Sequence, residues 1–363
     1  MPLDFLALDT ALAATSTLVG KSRAECQKAQ PETLFHYTSG AGMRGILDTS
    51  RLWATNFRYL NDASEVGHGV SLFEGLINDR LTSTKNDMLA EFLRRTLHTA
   101  NGFDGMFDCY IACFCEKDDL LTQWRAYSGS GGGYALGFST KEIGRRWGQL
   151  DRTQDFTLRR VVYDVERQKA LLAQVIDQTL EVLAAGTHGV TVDEANNVIA
   201  RCCQFVRSEV ADYLLSFKHP AFAVEKEWRI CHVVSSNEED HVQFRDGAYG
   251  LTPYVCLDIS PMAGVNHNKL PLARITHGPT LSPENVRFSL NKLLRSKTMH
   301  LYKWKVPRYR CALVLNGGVH SGLAAKCRAA PQGECWPEQG RGTQRAGQGR
   351  ILQPSGRNSR SQF

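Results

Sequence analysis

The sequence predicts an α+β protein built on a mixed, mostly antiparallel, split sheet with flanking helices. Two observations carry this. Short apolar runs bearing aromatic residues, such as TLFHYT and YALGFS, read as strands, while longer stretches repeat at helical period. The two kinds follow one another irregularly, with helical patterns gathered at about 165–185 and 192–216, whereas a doubly wound parallel sheet needs regular alternation.

Taken in order, residues 1–30 form an N-terminal helical segment. Its apolar runs carry Asp4 and Asp9 with no basic stretch before them, so it reads as a helix that docks on the body rather than an export signal. Residues 31–315 form a single α+β domain. It starts with a strand ending at His36 and Tyr37, a Thr38/Ser39 cap, an apolar helical face through Met43, Ile46 and Leu47, and a second strand, LWAT. Asn61 and Asp62 make a turn and cap before a helix to about Asp79, and a polar helix covers 84–98.

MFDCYIACFCEK is a buried strand, DDLLTQWRAYS a helix capped by Asp118 or Asp119, and GSGGG the lead into the strand YALGFS. A helical insertion spans about 165–217. Strands follow at 226–235, 252–259 and 272–278, then a helix at 283–296 and a strand at 299–306. Residues 316–363 are rich in Gly, Gln, Arg and Ser without periodicity, and a disordered tail is expected there.

The formal charge is +6, but the last 47 residues hold seven Lys/Arg against two Asp/Glu, which leaves the body at about +1. A nearly neutral body argues against a nucleic-acid groove, which needs a basic stripe. Eleven cysteines in 363 residues fit a reducing compartment, and no apolar run reaches the roughly 18 residues of a membrane span. A cytoplasmic protein without membrane partners is expected.

Four polar clusters stand at strand ends or in the loops beyond: His36 with Tyr37; Asn61, Asp62 and Glu65; Gln123 to Tyr127 with Gly131 to Gly133; and Glu225, Glu227 and Arg229. Singly, each has a structural explanation: a core histidine, a helix cap, a flexible turn, a same-face ion pair. Alternation places Glu225, Glu227 and Arg229 on one strand face and Trp228 and Ile230 on the other, which predicts that Trp228 anchors the fold while Glu227 is dispensable for it. Together the clusters suit cleavage of a ribose from a good leaving group, where a carboxylate stabilises an oxocarbenium-like ribose, a histidine donor holds it, and Tyr37, Trp124 or Tyr127 stacks on a cationic ring.

Cys109, Cys113 and Cys115 share one face of an apolar strand without a fourth ligand at zinc spacing, so they read as buried structural cysteines and no metal is expected. GSGGG precedes a strand and lacks a following Lys-Ser or Lys-Thr, unlike a phosphate-binding loop.

The blocks LFHYTS with GIL, LWAT with LND, CFCEKDDLLTQWRAYS with GGGYALGFS, VEKEWRI and HGPTLSPENV, in that order over about residues 33–310, resemble the bacterial family catalogued as Domain of Unknown Function 2971. Cys115 stands where members often carry a serine. A second resemblance is to the ADP-ribosyltransferase superfold: His36 matches its early-strand element, Glu225-Lys226-Glu227 its late Glu-x-Glu, and Tyr127 or Ser139 its middle element.

That resemblance implies an NAD-using enzyme, a toxin or phage-defence effector, that cleaves the nicotinamide–ribose bond. Its catalytic residues would be Glu227, Glu225 and His36, with Glu227 on the ribose and Glu225 orienting an acceptor. Tyr37, Asn61, Asp62, Trp124, Arg125, Tyr127 and Arg229 would hold the co-substrate NAD. The partners would be this nucleotide-like molecule and a protein or nucleic-acid acceptor. The alternatives are a nucleotide-binding sensor without turnover and, less favoured, a metal-dependent nuclease.

Overall fold

A computed structural model describes residues 5–26, 30–60, 64–100, 108–128, 132–144, 156–185, 191–234, 239–247, 250–259, 270–280, 282–297 and 303–304. The expected tail at 316–363 lies outside them, as do Asn61 and Asp62.

The fold is α+β, and its sheet is antiparallel except at one edge. The strands are β1 (Thr33–Thr38), β2 (Leu52–Asn56), β3 (Asp108–Cys115), β4 (Tyr134–Ser139), β5 (Phe156–Arg160), β6 (Glu227–Val234), β7 (Gln243–Gly247), β8 (Gly250–Leu257), β9 (Leu272–His277) and β10 (Lys303–Trp304). Among the described strands, β10 on β9 is the one parallel pair. β6 pairs with the whole of β3, Asp108 with Val234 through Cys115 with Glu227, and carries β5 on its other edge.

The opposite edge of β3 is divided. β1 meets it at Phe35–Cys115, while β2 meets it at Thr55–Ile111 and Asn56–Tyr110. One arm continues β1–β4–β9–β10 and the other β2–β8–β7. The sheet is therefore split, and residues 112–114 of β3 face the fork.

The helices are α1 (Phe5–Cys26), α2 (Gly40–Thr49), α3 (Ser64–Ser83), α4 (Asp87–Ala100), α5 (Leu121–Tyr127), α6 (Thr140–Gly144), α7 (Val165–Ala185), α8 (Val192–Leu214) and α9 (Pro283–Ser296). The Ser39 side chain caps α2 by accepting from the Gly42 N–H, as the sequence predicts. α8 begins with a capping box in which Thr191 and Glu194 satisfy each other's backbone.

Two apolar layers hold the sheet. Leu34, Phe114, Phe138, Trp228 and Ile230 pack with Ile46 of α2 and Leu290 and Leu294 of α9. α1, α3, α4, α7 and α8 bury a second core through residues such as Phe73, Phe92, Ile176 and Val206. Phe57, Cys109, Ile111, Leu215 and Cys231 pack beneath the end of α8, which places the Cys109–Cys115 face of β3 toward the helical layer.

Two local expectations need correction. Neither Asp118 nor Asp119 caps α5, whose N-cap is Leu120: Asp118 accepts from Arg274 and Thr276, and Asp119 accepts from the Trp124 indole, so both carboxylates are committed elsewhere. Glu225 does not lie on β6. It ends a 3-10 turn over Pro220–Glu225, and Lys226 takes a left-handed φ of 45° that breaks the extended run before Glu227. The Gly-rich lead into β4 serves a close approach: a Cβ at Gly278 would meet the Gly132 carbonyl oxygen at 1.9 Å.

Candidate functional site

The fork opens into a cavity of about 790 Å³, within the range of roughly 300–1,000 Å³ usual for small-molecule sites. His36, Tyr37, Tyr127, Glu225, Glu227 and Arg229 all line it. By alternation His36 and Glu227 belong to opposite faces of the sheet, and the divergence of β1 from β2 is what brings them to one space.

His36 shows how the fork is closed. Its Nδ1 lies 2.9 Å from the Cys113 carbonyl oxygen, on the stretch of β3 that the two arms leave open. A carbonyl only accepts, so Nδ1 carries the proton and Nε2 keeps a lone pair. Burial lowers the His36 pKa to about 4, with the Arg245 charge adding to the effect against that hydrogen bond. His36 is thus a neutral acceptor at Nε2, which corrects the expected donor role.

On the opposite wall four charges interlock. Arg229 Nε donates to Glu227 Oε1 at 2.8 Å and its Nη2 to Oε2 at 3.3 Å. Lys218 Nζ donates to Glu227 Oε2 at 2.7 Å and to Glu225 Oε2 at 2.8 Å. The kink at Lys226 turns Glu225 back so that both carboxylates reach one ammonium.

Burial would raise the Glu227 carboxyl, but Arg229 and Lys218, with hydrogen bonds from Arg229 and the Cys113 thiol, hold it at about 2. With side chains only 4% and 3% exposed, the Glu227–Arg229 pair is an ion pair, yet not one on a wet surface. Burial pushes the Cys113 and Cys115 thiols up, and the Glu227 charge pushes the same way, so neither is an activated nucleophile.

Tyr37 acts through its hydroxyl as a tie. It donates to the Lys117 carbonyl at 2.9 Å and accepts from the Leu120 N–H at 3.0 Å, fixing the start of α5. Trp124 packs edge-on against the Tyr37 ring at 4.7 Å and does not line the cavity; Arg125 is exposed outside it. Tyr127, one helical turn beyond Gln123, is the aromatic of α5 that does line it, with its phenol pushed up by burial first and then by Cys113 and Glu227. Ser139, the other middle element considered, pairs with Thr33 at the far end of β1 and is not on the cavity wall.

Lys218, Phe222 and Arg245 were not legible as site residues. Lys218 follows α8, where its N–H donates to the Val162 carbonyl and its carbonyl accepts from Gln168 Nε2. Its ammonium lies 5.1 Å from the centre of the Phe222 ring. Arg245 arrives from β7, the end of the second arm. Among the described residues no group of three or more His, Cys, Asp or Glu is placed to hold a metal ion, and no helix is long and apolar enough to cross a membrane.

The fold and site define an α+β protein whose split sheet encloses a ligand-sized cavity with an interlocked set of charged side chains on one wall. Residues 123–230, which supply one wall of it from Gln123 to Arg229, match the family model described as Protein of unknown function (DUF2971). No curated protein and no solved structure matches the chain.

Proposed function

We propose that the cavity binds NAD or a closely related nucleotide and breaks its nicotinamide–ribose bond, transferring the ribosyl group to water or to a protein or nucleic-acid acceptor. The observation that supports this reading is that His36, Glu225 and Glu227, separated by nearly two hundred residues of chain, line one cavity.

In this reaction the C1′–N bond breaks with its electron pair leaving on nitrogen, so nicotinamide departs neutral and the ribose becomes oxocarbenium-like. Glu227, ionised at neutral pH, and Glu225 set carboxylate oxygens, ion-paired to Arg229 and Lys218, beside that cation. His36 Nε2 accepts a hydrogen bond from a ribose hydroxyl, and Tyr127 or Phe222 offers a ring to the nicotinamide. The acceptor's lone pair then bonds to C1′ as its proton passes to Glu225. A toxin or phage-defence role would follow from depletion of NAD or modification of an acceptor.

Incubating the protein with labelled NAD⁺ tests this. Nicotinamide should appear together with ribosyl label in ADP-ribose or on an acceptor, and His36→Ala should slow its release. No release from the wild-type chain refutes the reading.

A second reading, nucleotide binding without turnover, is favoured by one feature: both Glu227 oxygens are already taken by Arg229 and Lys218. It predicts thermal protection by NAD⁺ with the ligand recovered unchanged.

A further inference from the structure

The cavity's charges do not balance. On the α5–β6 side Lys218 and Arg229 are matched by Glu225 and Glu227, and His36 is neutral. The remaining charged residue of the lining is Arg245, from β7. Its Nη2 donates to Thr55 Oγ1 at 2.7 Å, and its guanidinium lies 5.7 and 5.6 Å from the ring centres of Trp53 and Tyr254, themselves packed 4.8 Å apart.

No carboxylate among the described residues pairs with it. A guanidinium offers five N–H donors in a planar fork, of which the Thr55 hydroxyl takes one. Arg245 is partly buried, and even partial withdrawal of such a cation from water without a counter-charge is costly; the aromatic pair and Thr55 hold it in one orientation.

We infer that Arg245 is the anion anchor of the cavity, gripping a phosphoryl group of the ligand at the β7 end while the Glu225–Glu227 wall faces the ligand's ribose. Thr38 and Ser39, at the start of α2, line the same space and add hydroxyl donors for that group. This inference rests on the nucleotide reading given above and sets the ligand's polarity across the fork: phosphoryl toward the β2–β8–β7 arm, leaving group toward α5 and β6.

The test uses the full chain and calorimetric titration with three probes: NAD⁺, inorganic pyrophosphate and nicotinamide riboside, which lacks phosphate. Wild type should bind pyrophosphate, Arg245→Gln should lose about tenfold or more in affinity for pyrophosphate and NAD⁺, and both should bind nicotinamide riboside equally. Equal pyrophosphate affinity in the two proteins, or none in wild type, overturns the anchor.

Arg245-dependent pyrophosphate binding with no binding of NAD⁺ or nicotinamide riboside would instead remove the NAD reading and leave the anchor standing. Should Arg245→Gln not fold, phenylglyoxal labelling of wild type decides. Pyrophosphate should shield Arg245 from modification, and labelling that pyrophosphate does not slow refutes the proposal.

Discussion

Replacing Glu227 by Gln removes one negative charge from between two buried cations while nearly preserving shape. Its carboxyl is held at about 2 against an ordinary 4.5, and at 1.36 kcal/mol per pH unit that difference represents roughly 3 kcal/mol of stabilisation. Leaving Arg229 and Lys218 without their shared carboxylate puts the loss in the range of about 3–5 kcal/mol found when a buried pair is broken.

The sign follows from linkage. The folded carboxyl binds a proton less readily than the unfolded one, so the stabilisation is complete above pH 4.5 and is lost as pH falls toward 2. Urea unfolding of wild type and Glu227→Gln should therefore differ by roughly 3 kcal/mol or more at pH 7, with the gap closing below pH 4.5. A gap under about 0.5 kcal/mol at pH 7, the scale of an exposed pair, would refute a buried and fully engaged Glu227. The result also bears on activity: a Glu227→Gln protein that fails to fold says nothing of catalysis, so the chemistry must be tested at Glu225 or His36.

Other outcomes follow from the same geometry. Trp228→Ala empties a fully buried site against Phe114 and Ile230 and should cost about 3–5 kcal/mol in urea unfolding. Tyr37→Phe leaves the buried Leu120 N–H without its acceptor and should cost about 1–3 kcal/mol, with NAD⁺ binding weakened as α5 loosens. By NMR, His36 should carry its proton on Nδ1 and titrate near 4; because the unfolded histidine protonates first, its share of stability falls as pH drops from 6.5 to 4, and Arg245→Gln should raise the midpoint.

Much of the fold was legible because it is local. The short apolar, aromatic-bearing runs TLFHYT and YALGFS mark β1 and β4, and the Ser39 cap marks α2. β7, reading QFRDG, carries no apolar alternation because it is mostly exposed, so the strand that delivers Arg245 was missed although its neighbours β2 and β8 were expected. Glu225 was assigned to a strand because a left-handed Lys226 leaves no mark in a sequence that otherwise alternates.

The site was half legible. His36, Glu225, Glu227, Arg229, Tyr37 and Tyr127 do meet at one cavity, whereas Trp124 buries its indole against Asp119 and Arg125 points away to solvent. Lys218 could not be seen, since its place depends on the chain folding back on Val162 after α8, a contact across more than fifty residues. The fork itself is a property of pairing between distant strands, and no single segment encodes it.

The most direct measurement is nicotinamide release from NAD⁺ by wild type and by Glu225→Gln, after confirming that both are folded at the assay temperature. The account predicts release by wild type and its loss in the variant. Equal release by the two proteins, or none by wild type, would contradict it.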